Sequence, residues 1–239
     1  MGRSVVRAGA ARCPCCSLPP RWCICDAIPP VDAALRVHVF IHRHEHVKPS
    51  STGRLLARVV NGVTSRIYQR QSRFFPAAGF PAESLAADRE LWILHPAGDP
   101  LPVAADAAAA ADGRQAPARE GVLPRTQVML LDGTWRQAGE MLRTVEGMGR
   151  CVRLPESDAR PSRYWLRDQA AATHLSTAEA LVAVLEALGD DAAARLLRLH
   201  FELHVFATLL SRGRREMAEQ YLGESPLLAG IPAVVDRLV

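Results

Sequence analysis

Gln127-Val128-Met129-Leu130-Leu131-Asp132-Gly133-Thr134-Trp135-Arg136-Gln137-Ala138 is the stretch from which the architecture can be read. An apolar run stops abruptly at Asp132-Gly133. An apolar stripe at helical spacing follows, through Trp135, Ala138, Met141, Leu142 and Val145. A buried strand that turns directly into a helix is the building unit of an open α/β sheet, and ligands of such sheets bind at those turns. Asp132 sets a carboxylate at the strand end, and free N–H groups at the helix start can meet a ligand. Thr134-x-x-Gln137 also fits a capping box, so the same residues satisfy a purely structural turn.

The same alternation extends to either side. Leu35–Ile41 is mostly apolar and suits a strand covered on both faces. A polar stretch follows it, and then a helix marked by Leu55, Leu56, Val59 and Val60, capped by the Ser50-Ser51-Thr52 cluster. Leu91–Leu94 forms the second strand and runs into a loop at His95-Pro96-Ala97-Gly98. Between Pro100 and Arg125 the periodicity is lost around an alanine tract, so 99–126 reads as a mobile insertion. After the central strand and helix come a short strand at Arg150–Leu154 and a helix opened by Ser176-x-x-Glu179, a second capping box. A long helix begins at Asp190-Asp191, with Leu196, Leu199, Leu203, Phe206 and Leu210 as its apolar face. This order predicts an α/β fold with a mostly parallel sheet flanked by helices. The loops at 42–54, 95–98 and 132–135 each follow a strand and gather at one carboxyl edge.

Ahead of this body, five of the six cysteines crowd into residues 13–25. Cys13-x2-Cys16 and Cys23-x-Cys25 supply four thiolates for a closed tetrahedral zinc site, which is structural because no coordination position stays open. Cys15 is the odd thiol, either a spectator or a substitute for Cys16; Cys151 reads as a small core residue. The organisation expected is therefore a zinc-binding head at 1–30 and an α/β domain at 31–239. His42, His44 and His46 alternate as a strand would require for a second metal site, but their polar setting before Lys48-Pro49 reads as a loop with surface histidines.

The chain has 239 residues, 49% of them hydrophobic and 23% charged, as in an ordinary globular protein. No apolar run spans a membrane, and the first residues lack a signal-peptide core, so a cytoplasmic location without a membrane partner is the default expectation. The formal net charge of +4 permits a nucleic-acid partner. Arg163, Tyr164, Trp165 and Arg167 interleave cations with aromatics, as an RNA surface or an ordinary paired loop both do. Nothing in the sequence bears on oligomeric state.

Several segments in this order resemble the DTW-domain family: the Cys-x2-Cys-x6-Cys-x-Cys head, Glu45-x-x-Lys48-Pro49-Ser50-Ser51-Thr52-Gly53-Arg54, Asp132-Gly133-Thr134-Trp135, Tyr164-x-Leu166-Arg167 and Ser176-Thr177-Ala178-Glu179. The resemblance covers about residues 12–210. The sequence departs from the family pattern at Cys15, at Ser51 where asparagine is typical, and at His95 before Pro96. The resemblance implies a SPOUT-like fold with a C-terminal knot, and a tRNA-uridine aminocarboxypropyltransferase with S-adenosylmethionine as co-substrate and tRNA as partner. It implies a donor pocket formed by Thr52, Gly53, Arg54, Leu94, His95, Pro96, Asp132, Gly133, Thr134, Trp135, Ser176, Thr177 and Glu179. Lys48, Arg163, Tyr164 and Arg167 are then the residues expected at RNA. Asp132 is either the catalytic base or a group that holds the donor, and Trp135 either stacks on a base or packs in the core. An RNA methyltransferase of similar fold, a ribosomal RNA substrate and a non-catalytic zinc-containing RNA-binding module are the competing expectations.

Overall fold

The computed structural model describes residues 11–70, 79–101, 125–155, 161–166 and 174–239. Its centre is a five-stranded, wholly parallel sheet. The strands are β1 (Arg36–His42), β2 (Thr64–Tyr68), β3 (Glu90–Pro100), β4 (Thr126–Asp132) and β5 (Arg150–Arg153), in spatial order β2-β1-β4-β3-β5. Eight α-helical segments accompany them among the described residues. They are α1 (Arg43–His46), α2 (Thr52–Val59), α3 (Trp135–Thr144), α4 (Thr177–Leu188), α5 (Asp191–Ser211), α6 (Arg215–Gly223), α7 (Pro226–Ala229) and α8 (Pro232–Leu238). None is long and apolar enough to cross a membrane.

The two-residue period of the strands sorts the core into two faces. Val37, Val39, Ile41, Val128, Leu130 and Trp92 point to one side, where they meet α2, α4 and α5. Phe40, Met129, Leu91 and Ile93 point to the other, where they pack on Met141 of α3 and on Val145, the residue that follows it. Both faces are covered, which accounts for the near-continuous apolar runs of β1 and β4. Cys16, Leu18, Ile24 and Ile28 of the head join the larger apolar cluster. The head is tied to the C-terminal part by His200 Nε2 against the Pro29 carbonyl (2.7 Å) and by the Arg21 guanidinium donating to the Val239 carbonyl (3.1 Å).

Three features depart from the expected alternation. β2 takes the edge position beside β1, although its sequence carries only one buried residue, Tyr68. β3 continues through the expected loop at 95–98, its pairing with β5 shifting between Leu94 and Asp99. Gly98 permits that shift, because a Cβ there would lie 2.5 Å from the Val152 nitrogen. The chain also continues past α5 into three shorter helices. The insertion expected at 99–126 lies mostly outside the described residues, but its ends do not behave as a mobile excursion. Asp99 and Pro100 belong to β3, Leu101 donates to the Arg153 carbonyl at 3.0 Å, and Thr126 opens β4.

The strand order locates the ligand edge. From β1 the chain proceeds to β2 on one side; from β4 it crosses over β3 to β5 on the other. Neighbouring strands whose connections diverge leave a crevice beyond their carboxyl ends. The β1/β4 pair ends level, with Ile41 opposite Asp132.

Candidate active site and metal centre

A cavity of about 840 Å3 occupies that crevice. Its wall comes from the segment after β1 (Ser51, Thr52), from β3 (Leu94, His95, Pro96), from the end of β4 into α3 (Asp132, Gly133, Thr134, Trp135) and from the start of α4 (Ser176, Thr177). Ten of the residues expected at a donor pocket are thus brought together.

Asp132 ties these segments. It shares its face of β4 with Val128 and Leu130, so at the strand end its carboxylate turns toward α2 and α4 and not toward α3. Ser51 Oγ donates to one carboxylate oxygen at 2.9 Å and Thr177 Oγ1 to the other at 2.6 Å. Only 6% of Asp132 is exposed. Burial raises its pKa above the ordinary carboxylate range; the Thr177 and Ser51 hydroxyls and the Gly53 N–H oppose that shift, and the nearby Glu45 charge adds to it.

Three helix starts converge here, each capped as its sequence predicts. Ser51 caps α2 by accepting from Arg54 N, while its own hydroxyl proton goes to Asp132. Thr134 and Gln137 form the capping box of α3, and Ser176 and Glu179 that of α4. Gly133 leaves room for the first box, since a Cβ there would approach Gln137 to 2.9 Å. The unpaired N–H groups and positive dipole ends of α2, α3 and α4 therefore aim at one cavity that already holds a buried carboxylate.

Gly53 lies beneath Asp132, and a Cβ added there would meet the carboxylate at 2.6–2.8 Å. Gly53→Ala must push Asp132 off its two hydroxyl donors. It is expected to cost about 1–3 kcal/mol in urea unfolding, as overpacking does. Gly139→Ala, at an open position within α3, is expected to gain up to about 1 kcal/mol from helix propensity. Equal behaviour of the two variants would remove the close approach from the account.

Other expected residues fall elsewhere. Arg54 does not line the cavity: it donates to Ser17 Oγ at 2.8 Å and joins α2 to the cysteine head. Glu179 also stands behind the wall, accepting from Ser176 N, Ser162 Oγ and Arg163 N. Its role is to hold the 162–166 segment on the start of α4. Arg163 is not an exposed fork for phosphate. Its guanidinium bonds Glu224 (3.0 Å) and the Tyr221 carbonyl (2.9 Å) and stacks on the Tyr221 ring at 4.1 Å. Tyr164 lines the cavity and donates to the Ser50 carbonyl at 2.6 Å. Lys48 sits at the rim, paired with Glu45 at 2.7 Å. Arg167 lies outside the described residues.

Trp135 does not pack in the core. It is 52% exposed on the cavity wall, edge-on to His174 with ring centroids 5.2 Å apart. Sequence reasoning missed Ser51, Arg153 and His174, which also line the cavity. Ser51 had a signal, its place in the cap cluster before α2; Arg153 and His174 had none of comparable strength.

In the head, the sulfurs of Cys13, Cys16, Cys23 and Cys25 all lie within 4.8 Å of one another. Cys13 and Cys25 approach to 3.6 Å, and Cys16 and Cys23 to 3.8 Å. A tetrahedron with metal–sulfur bonds of about 2.3 Å has edges of about 3.8 Å, so the four thiols fit a zinc ion. The Cys16 backbone N–H is the main cause that lowers the Cys13 thiol to about 6, whereas burial raises the Cys23 and Cys25 thiols, a shift that a bound cation would have to offset. Cys15 is exposed and outside the cluster, so Cys13 and Cys16 are the first pair that could hold an ion. Cys151 is half-buried in β5. Among the described residues this is the only such group of three or more histidine, cysteine or acidic side chains, and His42, His44 and His46 do not form another.

A family model described as the DTW domain matches residues 10–210, and the chain belongs to the DTW-domain family. No solved structure matches.

Proposed function

We propose that this DTW-domain chain is a tRNA-uridine aminocarboxypropyltransferase. It transfers the 3-amino-3-carboxypropyl group of S-adenosylmethionine to N3 of a uridine and releases 5′-methylthioadenosine. The observation that carries this reading is the buried Asp132 carboxylate in a cavity of about 840 Å3 on which three helix starts converge. Family membership is consistent with a tRNA-modifying activity. A SPOUT-like, knotted donor site belongs to the same proposal.

The chemistry needs what the cavity offers. A donor carboxylate is favoured by the dipole ends and N–H groups of α2 and α4, beside the Ser51, Thr52 and Thr177 hydroxyls. Leu94, Pro96, Leu130 and Ala138 supply apolar wall for an adenosine, and Trp135 a flat face at the mouth. Uridine N3 loses its proton to Asp132, and the N3 lone pair then forms a bond to the γ-carbon of the donor. The C–S electron pair goes to sulfur, which leaves as a neutral thioether. Methyl transfer would be the easier displacement at a sulfonium, so the choice of carbon rests on alignment: the γ-carbon is held in line and the methyl turned away. A target base must leave its stack to reach this cavity, which suits an exposed loop of folded tRNA, the variable loop being the expected one. The cysteine head would hold structural zinc and take no part in bond making.

Incubation with tRNA and donor labelled in the carboxyl carbon tests the proposal. Label is expected in a uridine nucleoside, with methylthioadenosine formed in equal amount. RNA labelled only when the donor carries its label in the methyl group instead would identify a methyltransferase, and methylthioadenosine-free binding of RNA a non-catalytic module.

A further inference from the structure

A second cleft, of about 380 Å3, opens on the other side of the start of α3. Its wall combines His42 at the end of β1, Arg43 and His44 of α1, Arg70 just beyond β2, and Arg136 and Glu140 of α3. Strand parity puts it there: His42 shares the α3-facing side of β1 with Phe40, whereas Asp132 faces away from α3. Among the described lining residues, the guanidinium groups of Arg43, Arg70 and Arg136 stand beside one carboxylate, that of Glu140, which pairs with Arg70 Nε at 3.2 Å. Arg43, Arg70 and Arg136 are all exposed.

Cleft and donor cavity are adjacent. Trp135 lines the cavity and its neighbour Arg136 the cleft; Glu45 lines the cavity and its neighbour His44 the cleft. The two walls therefore adjoin along the backbone at Trp135–Arg136 and at His44–Glu45, where successive Cα atoms are about 3.8 Å apart. Guanidinium forks match phosphate oxygens, and an excess of positive charge disfavours a cation or an apolar partner.

We propose that this arginine-lined cleft holds the phosphodiester backbone beside the target nucleotide of the RNA. The base enters the donor cavity past Trp135, while a flanking phosphate rests among Arg43, Arg70 and Arg136. The inference rests on the RNA reading of the donor cavity and adds a docking site that Arg163, held by Glu224 and Tyr221, does not provide. Phosphate contacts of this kind set register and orientation and leave base selection to the cavity.

The test is the equilibrium affinity of the full chain for tRNA over a range of NaCl concentrations, with no donor present. The Arg70→Ala/Arg136→Ala double variant is expected to bind at least about tenfold more weakly at low salt. Its slope of log K against log salt should be shallower by about one to two, because each arginine neutralises one phosphate. Its melting temperature and donor binding should be unchanged, because both side chains are exposed. Glu140→Gln should act in the opposite sense and tighten binding, which a merely damaging substitution would not do. In turnover, KM for tRNA should rise while kcat at saturation holds. Unchanged affinity and slope in the double variant would overturn the cleft and leave the transferase reading standing. Arginine-dependent tRNA binding without aminocarboxypropyl transfer would do the reverse, and a parent chain without RNA affinity would overturn both.

Discussion

Replacing Cys16 by serine is expected to strip the metal from the head and lower the melting temperature by roughly 10–20 °C. The magnitude follows from two observations. Cys16 is only 5% exposed and belongs, with Leu18, Ile24 and Ile28, to the same apolar cluster as the sheet and α5. A structural four-thiolate zinc site contributes folding free energy directly, on the order of 10 kcal/mol in isolated zinc modules. Losing even about 5 kcal/mol of that shifts the midpoint by the stated amount in a domain of this size. The effect should reach the donor cavity, because Arg54 at the start of α2 donates to Ser17 between the two ligand pairs. Cys15→Ser is the control: its thiol is exposed and outside the cluster, so the midpoint should stay where it is. Metal analysis should find about one zinc per chain in the parent and none in the Cys16 variant. A chain that melts identically with and without a strong chelator would show that the cysteines hold no structural ion.

The parts of this molecule that could be read in advance are those settled within a few residues. Asp132, Gly133 and Thr134 follow an apolar strand and precede an amphipathic helix, and both predicted capping boxes are present. The face to which Asp132 turns also follows from the strand period. What stayed hidden depends on residues far apart in the chain. Thr177, 45 positions beyond Asp132, completes the carboxylate's partners, and no local pattern announces that pairing. Arg163 looked like an RNA contact because aromatics flank it; Glu224 and Tyr221, about sixty residues on, draw it inward. β2 escaped notice because Thr64, Ser65 and Arg66 are polar and only Tyr68 is buried, which leaves no apolar run to read. The helices after α5 are short and bounded by Gly and Pro, so packing of α6 and α7 on α5, and of α8 on α7, decides them more than propensity does.

Asp132→Asn is expected to lower turnover by about two or more orders of magnitude, the usual scale for a lost general base, while the cavity keeps its shape. Asparagine has the same volume, and one orientation satisfies every partner. Its carbonyl oxygen takes the place of the oxygen facing Ser51 and Gly53, and its amide donates to the Thr177 hydroxyl, which rotates to accept. Stability should move in a way that identifies the buried charge. A carboxyl whose pKa is raised on folding binds more protons in the native than in the unfolded chain, so its contribution falls as pH rises. That contribution is fully present below the unfolded value of about 3.9 and is lost as pH climbs through the raised folded value. The asparagine variant has no such loss. Its stability relative to the parent should therefore improve from about pH 4 upward, measured by urea unfolding at several pH values. In the parent, log kcat/KM should climb with unit slope and level off at the same raised pKa, because the acid form accepts no proton. In the variant that ascending limb should vanish along with the rate. A limb that survives in Asp132→Asn would assign the proton transfer to another group and leave Asp132 as the tie between Ser51 and Thr177. A variant with near-parental turnover would remove the carboxylate from the chemistry altogether.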